Sequence, residues 1–177
     1  MRSRLIVFIS IVQSILFLGH WFIYASLTHF FGAPASSLVV KTALGVLSVS
    51  FVSASLWAWH SHQLVVRVCY TVAAIWLGLA SYFLWAAVLC WVVYGADILL
   101  GRGWQLGRIA AVLFGAALLA GIYGVINAGW LRVTRVSIAL PNLPEQWRGR
   151  VAALVSDTHL GHVRNGRFIR RVVGKLI

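Results

Sequence analysis

The stretch from Val68 to Tyr94, VCYTVAAIWLGLASYFLWAAVLCWVVY, contains no charged residue. About 20 apolar residues are enough to cross the hydrocarbon core of a bilayer. In that medium each backbone N–H and C=O must find its partner within the segment, so a run of this kind reads as a membrane helix. Cys69 and Cys90 both lie inside it. At 1.5 Å per residue they stand about 31 Å apart on a continuous helix, which excludes a mutual disulfide. Both are expected to serve as small buried apolar groups. The apolar character continues through Ile98, Leu99 and Leu100, so a tilt or an interfacial extension is expected.

Three similar runs flank it, from about Leu5 to Tyr24, Leu38 to Trp59 and Ile109 to Leu131. The chain is 61% hydrophobic with a mean hydropathy of +0.90, outside the soluble range. Nine Trp and five Tyr suit the two membrane–water interfaces, where amphipathic rings settle. The formal charge of +12 does not imply a nucleic-acid partner. The basic residues of the apolar part are isolated between apolar runs, and nine of the fifteen lie between Arg132 and Lys175. The partner implied is the lipid bilayer. Arg2 and Arg4 before the first run resemble the start of a signal peptide, but the run is long for one and Pro34 fits a cleavage site poorly. An uncleaved helix is the expectation.

With four spans both termini share one side. That side would carry Arg2, Arg4, Arg67, Arg132 and Arg135, against Arg102, Arg108 and a snorkelling Lys41 on the other. The positive-inside rule then places both ends in the cytoplasm. Ala116, Ala120, Gly124 and Ala128 recur every fourth residue, a stripe that allows close helix approach in lipid. Ser48, Ser50, Ser53 and Ser55 are expected to bond back to their own helix rather than to line a polar path. His20, His29, His60 and His62 read as interfacial polar residues rather than haem ligands; at i, i+2 on a helix the last two point apart.

After the fourth run the period changes. Val136, Ile138 and Leu140 alternate with Arg135, Ser137 and Ala139, as in a half-buried strand. Pro141 and Pro144 force a turn. Val151 to Val155 is continuously apolar, as a strand covered on both faces is. It leads into Ser156-Asp157-Thr158-His159-Leu160-Gly161. The chain has three acidic residues, Asp97, Glu145 and Asp157, and one of them stands here. On extended backbone, residues i and i+2 point the same way, so Asp157 and His159 offer an oxygen and a nitrogen to one point. That donor pair suits a borderline divalent metal such as Mn, Fe or Zn. His162, directly after Gly161, reads as a loop residue, with a supporting contact to such a ligand as the alternative. A Gly/Asn loop follows, then a helical pattern with Phe168, Ile169, Val172, Val173 and Leu176 on one face and Arg170, Arg171 and Lys175 on the other.

Residues 134–177 resemble the opening of a calcineurin-like metallophosphoesterase domain of the membrane-attached branch. The likeness rests on Arg135-Val-Ser-Ile-Ala-Leu140, Pro141-Asn-Leu-Pro144, Trp147-Arg-Gly149 and Arg150-Val-Ala-Ala-Leu-Val-Ser156 leading into Asp157-Thr158-His159-Leu160-Gly161. In that family the first signature is Asp-x-His at a strand-to-loop junction. The family's other blocks, Gly-Asp-x-x-Asp, Gly-Asn-His-Asp/Glu, a lone His and Gly-His-x-His, do not occur here. The resemblance implies hydrolysis of a phosphate ester at a pair of divalent metals, with Asp157 and His159 ligating one of them. No catalytic residue beyond these ligands is expected within the chain.

The expected fold is therefore an α-helical membrane bundle of four transmembrane helices (1–131), followed by the truncated start, β-turn-β-loop-α, of an α/β metallophosphoesterase sandwich (132–177). A half-built α/β layer buries too little apolar surface to offset its ordering entropy. The expected function is a membrane-anchored phosphoesterase of the bacterial inner membrane, represented by its N-terminal fragment and inactive alone. Its catalytic part would be cytoplasmic and its substrate a phosphate ester, including one held at the membrane. The alternative is a non-enzymatic four-helix membrane protein, a transporter subunit or sensor, with a chance or relic Asp-x-His tail.

Overall fold

The computed structural model describes residues 2–32, 35–139, 141, 142, 144–147, 149–155, 161 and 166–175. Four long helices come first: α1 (Arg2–Phe31), α2 (Leu38–His60), α3 (Leu64–Leu100) and α4 (Leu106–Ala128). A short 3-10 turn (Glu145–Trp147) and α5 (Gly166–Val173) follow. The chain divides into two compact units, Met1–Ala128 and Gly129–Ile177.

All four long helices are long and apolar enough to cross a membrane. Two exceed the lengths read from hydropathy. α1 runs on past Tyr24 to Phe31, and α3 begins before Val68 and ends after Tyr94. At 37 residues α3 is about 55 Å long, well beyond a 30 Å hydrocarbon core. The extension through Ile98 to Leu100 is thus part of one unbroken helix. Gly101 ends it in the left-handed region, φ +59°, and donates its N–H to Asp97 O at 2.9 Å. Gly32 ends α1 in the same way, φ +70°, with its N–H on Thr28 O at 3.0 Å. The Asp97 carboxylate accepts the Trp104 N–H at 2.9 Å and so clasps the α3–α4 connection.

What the bundle buries is mostly small: Ala54, Ala58, Ala73, Ala80, Ala86, Ala87, Ala110 and Ala117. Large apolar side chains such as Phe8, Trp59, Leu99 and Val112 point outward. That inversion suits lipid, where helices associate by close approach rather than by hiding oily groups from water. Ile23, Leu44 and Ala80 form the centre, bordered by Trp76, Phe83 and Phe114. α3 packs tightly on α4 at Gly121, where an added Cβ would collide with the Leu79 side chain and lie 3.6 Å from the Tyr82 ring.

Three expectations are corrected here. The small-residue face of α4 is Ala110, Ala117 and Gly121, because Ala116, Ala120 and Ala128 face outward. Two adjacent stripes of small residues compete in this helix, and the one containing Gly121 admits Leu79 and Tyr82. Cys69 is exposed, whereas Cys90 is buried, and both are free thiols. Third, the described residues of 135–155 form no strand. Val136 and Ile138 alternate as the pattern demands yet are 74% and 76% exposed. A strand exists only as part of a ladder, and these two segments do not pair with each other. Of the proline-bounded turn, Pro141 and Asn142 lie in a turn; beyond it, the Trp147 N–H donates to Pro144 O at 2.9 Å in the 3-10 turn, and Gly149 adopts φ +69°.

Reporter fusions check the topology. Fusions after Trp59 and after Leu131 are expected on the cytoplasmic side, and one at Gly103 on the opposite side. A fusion after Leu131 that reports the opposite side reverses the orientation.

Candidate functional site

Asp157, His159 and His162, the expected metal ligands and their neighbour, lie outside the described residues. Their flanks are described. Val151 and Leu154 are 93% and 94% exposed, and Gly161 sits in a turn. α5 begins at Gly166, too far along the chain for Asp157 to cap it. Its inner face carries Val172, buried, with Phe168 and Ile169 half-buried. Arg170 and Arg171 are on the outer face, and the Arg171 guanidinium carbon lies 6.0 Å from the Phe168 ring centre. Lys175 Nζ donates to Leu131 O at 3.3 Å within this unit. Among the described residues no three of His, Cys, Asp and Glu are grouped to share a metal.

The helical unit holds a polar seam of its own. His20 is 5% exposed, with Nδ1 2.7 Å from Leu16 O and Nε2 2.8 Å from Trp76 Nε1. An indole N–H can only donate, so Nε2 accepts and Nδ1 carries the proton given to Leu16 O. The surroundings thus select the neutral Nδ1–H tautomer. Ser26 is fully buried; its hydroxyl donates to Phe22 O at 2.8 Å and accepts from Trp91 Nε1 at 2.9 Å. Gln13 Nε2 donates to Ser48 O at 3.0 Å, tying α1 to α2. These bonds give the lipid-embedded helices register, which apolar packing alone leaves loose.

Both nitrogens of His20 are engaged, so neither is open to haem iron. His29 is stacked on Trp91, ring centres 4.7 Å apart, with Tyr94 edge-on at 5.0 Å. His60 Nδ1 lies 2.9 Å from Leu56 O at the end of α2. Ser48, Ser50 and Ser55 bond to Gly45 O, Leu47 O and Phe51 O of their own helix, as expected.

The sequence reading did not single out the Trp76–His20 and Trp91–Ser26 pairs. A signal was present. Trp favours membrane interfaces, and one in mid-span needs a partner for its N–H. Trp76 lies well inside an uncharged run, and His20 and Ser26 are among the few polar groups on α1. A double-mutant cycle on His20→Leu and Trp76→Phe, read by unfolding in detergent, is expected to give a coupling of about 0.6 kcal/mol and at most about 1.7. Strict additivity would show that the bond adds nothing to stability.

No protein-family model, no curated protein and no solved structure matches this chain.

Proposed function

We propose that this chain is the membrane anchor and first metal-binding segment of a metal-dependent phosphoesterase whose further metal-binding blocks lie beyond Ile177. The carrying observation is Asp157-Thr158-His159, set directly after the apolar run Val151–Val155 and followed by Leu160-Gly161. Four helices long and apolar enough to cross a membrane support the anchoring half of the proposal. The arginine placement favours a cytoplasmic catalytic part at a bacterial inner membrane.

The donor chemistry fits the proposed metal. Asp157 would give a carboxylate oxygen and His159 an imidazole nitrogen, a set that accepts Mn, Fe or Zn. A divalent pair supplies charge neutralisation of the phosphate and a nucleophile at neutral pH. Within this chain Asp157 and His159 hold and orient, and His162 would fix a ligand ring through a hydrogen bond. The exposed segment 151–155 would become the first strand of a sheet completed by later residues, with α5 laid on it. Tethering the site beside the bilayer favours phosphate esters carried at the membrane, lipid head groups included.

Elemental analysis of the intact protein tests the reading. About two divalent metal ions per chain are expected. An intact protein that binds none would favour the non-enzymatic membrane protein.

A further inference from the structure

A cleft of about 140 Å³, open along one side, runs between α1 and α2. We propose that it holds one anionic phospholipid of the surrounding bilayer, its phosphate on Lys41 Nζ and the Tyr24 hydroxyl and the start of an acyl chain lying over Gly45.

The two ends of the cleft differ in chemistry. Lys41 and Tyr24 line the end nearer the α1–α2 connection. Neither the Lys41 ammonium nor the Tyr24 hydroxyl has a hydrogen-bonding partner among the described residues. Lys41 is the single Lys or Arg between Arg4 and Arg67, and no acidic residue precedes Asp97. Asp97 itself is engaged with the Trp104 N–H. This end of the cleft therefore presents an uncompensated cation and a free hydroxyl, the complement of a phosphate monoanion.

The other end is apolar in effect. His20 and Ser48 line it, but their polar atoms are already bonded to Leu16 O, Trp76 Nε1 and Gly45 O. Phe17, Trp21 and Leu44 complete the walls. A Cβ placed on Gly45 would meet nothing within 4 Å, so the glycine leaves the floor open. From Lys41 to Ser48 the cleft extends about 10 Å along α2. A closed apolar cavity of about 150 Å³ accommodates benzene, so this one has room for a short length of hydrocarbon. An anion at one end joined to hydrocarbon at the other describes an anionic lipid, and the open side faces where lipid lies. The proposal does not depend on residues 157–159.

The test uses the full chain in detergent with equal amounts of phosphatidylglycerol and phosphatidylcholine, read by native mass spectrometry. One retained phosphatidylglycerol per chain is expected, in preference to phosphatidylcholine. Lys41→Gln should reduce that preference about five-fold, the effect of one interfacial cation, while Lys41→Arg should keep it. A Cβ at Gly45 meets no protein atom, so Gly45→Leu should fill the open floor and abolish retention with helical content unchanged. Excess inorganic phosphate should leave the lipid in place, because the chain contributes to binding. Equal retention of the two lipids, unchanged retention in either Lys41→Gln or Gly45→Leu, or displacement by inorganic phosphate would overturn the proposal.

Discussion

Asp157→Asn in the intact protein is expected to lower metal content and phosphoester turnover together, with folding nearly preserved. The loss should exceed the roughly 10- to 100-fold that follows removal of an outer partner of a metal ligand, because a ligand itself is removed. Asn keeps the shape of Asp but not its charge, and a neutral amide oxygen holds a divalent cation less well. The competing reading makes Asp157 a helix cap, whose loss would cost about 1 kcal/mol of stability and leave the chemistry intact. α5 begins at Gly166, too far along the chain for Asp157 to cap it. Metal stoichiometry and turnover are to be measured on the same preparation. Full metal content with near-normal turnover would remove Asp157 from the ligand set and the family reading with it.

Residues 1–177 alone, purified and assayed with a chromogenic phosphodiester and Mn, should match an enzyme-free blank. Two protein ligands cannot hold a catalytic metal pair, and the described residues offer no other group of three ligand-type side chains. The acidic residues set the ceiling: Asp97 is committed to the α3–α4 connection and Glu145 lies in the 3-10 turn. Turnover that disappears in Asp157→Ala would show that the active centre is assembled from residues within this chain.

The membrane helices were legible because length and lack of charge suffice to define them. The run from Val68 to Tyr94 needs no tertiary information to be a helix in lipid. Its true ends at Leu64 and Leu100 were less legible, since a helix stops where a cap is available, here Gly101, rather than where hydropathy falls. Helix faces were harder still. α4 offers small residues in neighbouring stripes, and only the shape of Leu79 and Tyr82 selects Gly121 over Ala120. The mid-span indole bonds joined residues 56 and 65 positions apart, a pairing no local pattern encodes. In the tail the two-residue period of 135–139 marked a segment able to become a strand. A ladder depends on partners elsewhere in sequence, and the pattern does not state whether they are present. The spacing of Asp157 and His159 suggests a donor pair, and both lie outside the described residues.

The coding DNA beyond codon 177 tests the central claim most directly. The account predicts that it encodes, soon after Ile177 and in one of the three frames, Gly-Asp-x-x-Asp, followed by Gly-Asn-His-Asp/Glu and Gly-His-x-His. A downstream sequence that encodes none of these blocks in any frame would contradict the phosphoesterase reading and leave a four-helix membrane protein with an unrelated tail.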